Sequence, residues 1–382
     1  MKIDFDALRR RFPVLERKTY LNSGSYCALA DTVRDAFNSY MDDRLAVGAN
    51  WDVWIGKNEA VRAAMAGVLR VTPDEIAVTA SASAGINALA SALDFTGPRT
   101  KVVVSDFEFP TNAQIWHAQE RLGARVVHVP PAADGYIPLE NFARVIDERT
   151  QLVAVTQVCF RNGARLDIAG ITRLAQERGA RVLVDCYQAI GAVTVDARAL
   201  GVDFAVGGML KYLLGTAGIG FLYVRSGLMD ELVPSNSGWF AQQDIAAMDI
   251  TANRPSHSAR RFEAGTPPVA SCYAAEAGLK IILETGTDAI EERVRSLTRR
   301  CLEGLRAIGW PAVTPMDDSH RGPMVAVPSR DAAGLFARLQ EQDIVTSFRD
   351  NNIRATVHFY NSEDDIDRFV EAMAGHRDRF HR

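Results

Sequence analysis

An aspartate and a lysine, each following a short apolar run, are the residues here best suited to chemistry. Arg181-Val-Leu-Val-Asp185 is an apolar run that closes on a carboxylate. Such an aspartate either caps the next helix or faces a ligand at the carboxyl edge of an α/β sheet. Twenty-six residues on comes Gly207-Gly-Met-Leu-Lys211-Tyr-Leu-Leu-Gly215. A lone lysine is normally a solvated surface group. Lys211 lacks a polar helical face around it. Held in an apolar site, its amine binds a proton less tightly and can act first as nucleophile, then as base. A third feature is Val78-Thr-Ala-Ser81-Ala82-Ser83-Ala-Gly85, where small residues end a strand and open a helix. Free backbone N–H groups and hydroxyls there make an anion site, or an ordinary serine cap. No Walker lysine follows, which argues against a nucleotide P-loop. Gly215-Thr-Ala-Gly-Ile-Gly220 precedes a strand instead of a helix and so does not read as a dinucleotide fingerprint.

The elements that must position these residues alternate. Apolar β-branched runs fall at 76–79, 101–105, 125–129, 152–156, 181–185, 204–206 and 220–224, with helical stretches at 85–93, 112–122 and 168–178 between them. Buried runs alternating with helices predict βαβ units and a mostly parallel sheet covered on both faces. Ahead of these, 3–15 reads as one short amphipathic helix stopping near Pro13, and 31–47 and 56–70 as helices. A loop-rich stretch around 230–265 precedes long helices at 269–284, 288–307, 332–342 and 363–380 with a few short strands, a smaller α+β unit. The expected division is an N-terminal segment (1–17) packing with the small domain, a large domain (18–255) and a small C-terminal domain (256–382).

Composition bounds the function. The chain has 382 residues, 47% hydrophobic and 24% charged, with a net charge of −4. Two domains are the natural expectation at this length. There is no basic field to hold a nucleic-acid backbone, and none to draw the chain to anionic membranes. No apolar run reaches the roughly 18–20 residues that span a bilayer. Cys27, Cys159, Cys186, Cys272 and Cys301 show neither CxxC pairing nor metal-ligand spacing, so no metal is expected and a reducing compartment is. The start, Met1-Lys2-Ile3-Asp4-Phe5-Asp6, has no signal-peptide h-region. A cytoplasmic protein is the expectation.

Taken together, Leu166-Asp-Ile, Gly179-Ala-Arg-Val-Leu-Val-Asp185, Gln188-Ala-Ile-Gly191, Leu200-Gly-Val-Asp203, Lys211-Tyr-Leu-Leu-Gly215 and Gly218-Ile-Gly-Phe-Leu-Tyr-Val-Arg225 resemble the class V aminotransferase family. These are fold type I enzymes dependent on pyridoxal 5′-phosphate. Cysteine desulfurases, kynureninases and isopenicillin N epimerase-like proteins are among them. The resemblance covers nearly the whole chain. It implies an α/β large domain with a mostly parallel seven-stranded sheet and a smaller α+β C-terminal domain. It implies that Lys211 carries the cofactor as a Schiff base, that Asp185 keeps the pyridine nitrogen protonated, and that Gln188 bonds the ring 3′-oxygen. Ser81, Ala82 and Ser83 would wrap the phosphate. Phe109, in Asp106-Phe-Glu108-Phe109-Pro-Thr-Asn112, would stack on the ring or serve as a core aromatic. Thr266 and Trp239 match positions that reach the phosphate site across a homodimer interface. For the substrate, Arg354 is the first choice to bind the carboxylate and Arg349 the second. Asn22, Ser25 and Tyr26 resemble the N-terminal stretch that closes over the substrate. Arg161 either faces the site or forms a structural salt bridge. His358 reads as a packing histidine.

The departures narrow the reaction. No cysteine follows Cys301, whereas desulfurases carry a loop cysteine shortly before the late arginine. Leu210 stands where desulfurases have histidine and kynureninases tyrosine, and Gly208 where a phosphate-binding serine is common. With Phe109 and Leu210 unable to donate protons, Lys211 is left as the main acid and base. The expected function is removal of the Cα proton of a small-molecule amino-acid substrate. Most readily this is a β-eliminating C–S type lyase. Transamination is the alternative, followed by epimerisation or kynureninase-like hydrolysis.

Overall fold

The computed structural model describes residues 3–381. The stretch expected as one helix over 3–15 is two turns of different kind, α1 (Phe5–Arg9) and a 3-10 helix at Pro13–Glu16. Pro13 has no N–H to donate and its ring crowds the preceding turn, so the helix stops short of it. Next come β1 (Thr19–Tyr20), α2 (Asp31–Ala46), α3 (Trp51–Leu69), β2 (Ile76–Thr79), α4 (Ala82–Ala90), β3 (Lys101–Ser105), α5 (Pro110–Ala118) and β4 (Arg125–Val129). They are followed by α6 (Leu139–Ala143), β5 (Thr150–Thr156), α7 (Ile168–Glu177), β6 (Arg181–Asp185), α8 (Ala197–Leu200), β7 (Phe204–Gly208) and β8 (Gly220–Val224). The C-terminal part holds α9 (Val269–Thr285), α10 (Thr287–Ala307), β9 (Met324–Pro328), α11 (Ala332–Glu341), β10 (Ile344–Val345), β11 (Ser347–Arg349), β12 (Asn352–Thr356) and α12 (Glu363–Phe380).

Among the described residues a seven-stranded sheet runs in the order β2-β8-β7-β6-β5-β3-β4. All its strand pairs are parallel except those of β8, which is antiparallel to both β2 and β7. Central strands buried on both faces read as nearly continuous apolar runs. Every residue of β3, β7 and β8 is buried, as is every residue of the edge strand β2. The covering helices are amphipathic. In α7, Ile168, Ile171 and Ala175 share a buried face, and the Asp167 side chain caps the first turn by accepting from Gly170 N at 2.9 Å. A smaller antiparallel sheet, β11-β12-β9, carries the C-terminal part. The chain is therefore α/β with a mostly parallel seven-stranded sheet and a smaller C-terminal domain.

Contacts between distant segments bear on the site. Phe12 packs 4.6 Å from the Tyr360 ring, and Arg9 pairs with Asp365 at 2.6 Å, tying the first turns to the C-terminal part. Helix α9 lies along α2 and α3. No helix among the described residues is long and apolar enough to cross a membrane.

Candidate active site

Parallel strands place their carboxyl ends along one edge of a sheet, and ligands bind in the crevice outside that edge. Strands β3, β5, β6 and β7 lie side by side in parallel. The turns leaving them carry Phe109, Phe160, Tyr187 and Lys211 into one cavity of about 230 Å³. The start of α4 closes another wall with Ser81, Ala82 and Ser83. Asp185, Gln188 and, from the N-terminal segment, Ser25 complete the polar lining.

Asp185 ends β6 and is 7% exposed; its Oδ1 accepts the Tyr187 backbone N–H at 2.9 Å. Burial raises its pKa, opposed by that hydrogen bond and by the charge of Lys211. Burial brings the Lys211 amine down to about 8, with Asp185 holding it up and Arg354 pushing it down further. The amine lies 4.3 Å from the centre of the Tyr187 ring and 5.8 Å from that of Phe109. Phe109 is 46% exposed and meets Phe160 edge-on at 5.2 Å. Gln188 donates to Gly24 O at 3.1 Å, but its buried Oε1 has no hydrogen-bond partner among the described residues. At the start of α4 the Ser81 hydroxyl caps Ala84 N at 3.1 Å, and Ser83 Oγ lies 3.4 Å from Thr111 Oγ1.

This lining fits pyridoxal phosphate. The cavity of about 230 Å³ has the Phe109 and Tyr187 rings on its walls, a lining that suits a flat heteroaromatic group. A carboxylate and an amine share the cavity, Gln188 lines it with its amide oxygen unpartnered, and a helix start offers N–H groups for an anion.

The other expected residues are distributed differently. Arg354, 7% exposed, stands behind Phe160; its Nη1 donates to Phe160 O at 2.7 Å and its Nε is buried without a partner. Arg349 is exposed and acts on Arg354 through its charge. Arg161 is not brought into the cavity. It is exposed, lies 3.4 Å from Asp350 and borders a separate cleft with Asp106 and His128, because the Cys159–Gly163 turn directs it outward. Asn22 bridges to Thr356 with its Oδ1 buried and unpartnered, and the Tyr26 hydroxyl bonds Thr216 Oγ1 at 3.0 Å. Trp239 packs 5.8 Å from Trp51, and Thr266 is exposed; neither lines this chain's own cavity. His358 is buried, 2.9 Å from Tyr212 O, with a pKa lowered by burial to about 4. It is therefore neutral and packs.

Sequence reading missed Tyr187, Thr156 and Glu108. Two of these had a legible signal: Tyr187 lies between Asp185 and Gln188, and Thr156 ends a strand at the ligand-binding edge. Glu108 is buried, bonded to the cavity residue Thr156 and bordering the separate cleft that holds Arg161. Its carboxyl accepts from Thr156 N and Asn112 Nδ2, each at 2.7 Å, and from the Ser105 hydroxyl. Trp116 Nε1 in turn donates to Asn112 Oδ1 at 3.0 Å. This network holds the turn that presents Phe109. Burial raises the Glu108 pKa from 4.5 to about 8, against the three hydrogen bonds. A carboxyl with a raised folded pKa stabilises the fold fully below its unfolded value, and this contribution is lost as pH climbs through the folded one. Urea midpoints of the wild type should carry this downward trend between pH 4.5 and about 8, worth on the order of a few kcal/mol. Glu108→Gln should remove the trend. It should also add a pH-independent loss of about 1–3 kcal/mol, because a glutamine Nε2 would face the Asn112 Nδ2 donor. Equal pH slopes in both proteins would count against a neutral Glu108.

Comparison with known proteins bears on the family and the fold. Residues 53–369 match the family described as aminotransferase class-V. An aminotransferase of Bacillus subtilis (strain 168), described as uncharacterized and named YcbU, is 33% identical over 369 residues, covering 96% of each chain. A kynureninase of Deinococcus radiodurans is 33% identical over 332 residues, 84% of this chain and 78% of that one. In fold, the chain is similar to the apo cysteine desulfurase of Thermococcus onnurineus NA1, with a TM-score of 0.87, 23% identity and 98% of both chains covered. A cavity built around Lys211 and Asp185, and a match running through most of the sequence, place this chain in the class V aminotransferase family of pyridoxal-phosphate-dependent enzymes.

Proposed function

We propose that this enzyme removes the Cα proton of an amino acid and expels a β substituent, as a C–S type lyase does. The supporting observation is that Lys211 supplies the cavity's amine, while the phenol beside it, Tyr187, holds its proton through a pKa raised by burial. The residue before it, Leu210, and the aromatic walls Phe109 and Phe160 cannot donate or accept a proton. All five cysteines are buried, so none is placed to take up sulfur as a persulfide. A β elimination needs few groups beyond one amine.

When bound, pyridoxal phosphate supplies an aldehyde for the amines and an electron-withdrawing ring for the Cα charge. The chain's residues do the rest. Lys211 holds the cofactor, takes the Cα proton and delivers it to the departing group. Asp185, kept in a dry site, would hold the proton of the pyridine nitrogen. Gln188 would orient the ring end and Ser83 Oγ the phosphate end, and Phe109 would stack on the ring and exclude water. Arg354 binds the substrate carboxylate through its free Nε. Asn22, Ser25 and Tyr26 close over the substrate, with Arg349 steering it. Arg161, turned outward, has no part in this.

Incubation with a panel of amino acids tests the reading. Release of ammonia and a keto acid without an acceptor supports elimination. Amine exchange requiring a keto acid would replace it with transamination, the reading favoured by similarity to the Bacillus aminotransferase. Arg354→Ala should raise KM on the order of 10- to 100-fold, the worth of a hydrogen bond to a charged group. An unchanged KM in steady-state kinetics would move carboxylate binding to Arg349.

Thr266 and Trp239, outside this chain's cavity, are assigned to the phosphate site of a second copy, so the proposed enzyme is a homodimer. The proposed division of the chain is 1–17, 18–255 and 256–382.

A further inference from the structure

We propose that the Tyr187 hydroxyl is a further anchor for the cofactor's phosphate, reaching it through the space that Gly208 leaves open. The inference rests on the reading that the start of α4 receives that phosphate. A Cβ on Gly208 would lie 2.3 Å from Tyr187 Oη and 2.4 Å from its Cζ. No side chain fits at 208 while Tyr187 points there, so the phenol end occupies the place a residue-208 side chain would take. Gly208 ends β7 and pairs with Gly220 on β8. A Cβ on Gly220 would lie 2.8 Å from the Ser81 carbonyl carbon and 2.9 Å from Ala82 N. Neighbouring strands are about 4.8 Å apart. The phenol oxygen and the first turn of α4 are therefore about one strand spacing apart on a common wall of the cavity, which both line.

The chemistry suits an anion. The Tyr187 hydroxyl makes no hydrogen bond to another described residue, so it is free to donate. Burial holds its pKa well above 10, which keeps the proton in place at neutral pH. Its ring face lies under Lys211 Nζ at 4.3 Å, so the tyrosine runs from beneath the amine toward the helix start. Hydrogen bonds from neutral donors to phosphate oxygens are charge-assisted and worth more than neutral pairs.

The test compares two ligands that differ only at the phosphate. Full-length apoprotein, wild type and Tyr187→Phe, is titrated with pyridoxal phosphate and with pyridoxal, reading Kd from absorbance. The variant should bind pyridoxal phosphate about ten-fold or more weakly, and pyridoxal as the wild type does. Equal losses for both ligands, or no loss for either, would overturn the proposal and leave Tyr187 as packing alone. Melting temperatures of the apoproteins check that the variant is folded. A second pair of variants moves the hydroxyl across the contact. Gly208→Ser in the Tyr187→Ala background should recover affinity for pyridoxal phosphate relative to Tyr187→Ala alone, and a failure to recover any counts against a shared position. The underlying function is read separately in Lys211→Ala. If that variant loses the cofactor band while Tyr187→Phe shows no ligand difference, only the phosphate anchor fails. If it keeps the band, the assignment of the site itself falls.

Discussion

Lys211→Ala should abolish the absorbance near ~420 nm that wild-type protein shows with pyridoxal phosphate, and lower turnover about 100- to 10,000-fold. Both effects have one cause. The cavity offers no second amine, Leu210 and Phe109 cannot carry a proton in its place, and the Tyr187 phenol keeps its own because burial raises its pKa. The pH dependence of cofactor uptake gives an independent check. Burial has brought the amine down to about 8. Only the neutral amine attacks an aldehyde, so uptake by the wild-type apoprotein should accelerate with rising pH and level off above about 8. The same shift has a stability consequence of opposite sign to that of Glu108. A lysine with a lowered folded pKa destabilises the fold where it must be neutralised by folding. Stability on its account therefore rises with pH between about 8 and 10.5. A Lys211→Ala protein that keeps its band and turnover would end the case for this residue.

Asp185→Asn should cost turnover roughly 100- to 1,000-fold, the usual scale for removing one preorganised electrostatic partner. The substitution is nearly isosteric, and the Asn Oδ1 can still accept the Tyr187 N–H, so the β6 turn should keep its shape. What goes is the negative charge. That charge opposes the effect of burial on Lys211, so its loss should move the midpoint of cofactor uptake to below about 8. A turnover loss with an unmoved midpoint would mean that Asp185 acts on the ring alone and not on the lysine. Unchanged turnover would remove Asp185 from the mechanism.

Much of this protein was legible in its residues. Strands closing on Asp185 and Ser105, buried on both faces, announce themselves by continuous apolar runs, and α4 by the small residues and serine cap that open it. Lys211 stood out because nothing polar surrounds it in the chain. The paired order of lysine, aspartate and glutamine at their spacings carried the family, the cofactor and the fold class together. Such features are local, since period, capping and chain distance depend on neighbours within a few tens of residues.

What only the tertiary structure decided is who meets whom. Phe160 sits in a turn with no pattern of its own, yet it packs edge-on to Phe109 because β3 and β5 are adjacent in the sheet. Arg161, one residue on, is directed away by the tight Cys159–Gly163 turn. Glu108 reads as one more charged residue before a helix, but β5 brings the Thr156 N–H onto it and burial raises its pKa. Gly208 looked like the loss of a polar side chain. The fold shows that Tyr187, 21 residues earlier, already fills its space. Strand order sets these pairings, and no sequence period encodes strand order, so distant residues acquire a common chemistry only once the sheet has formed.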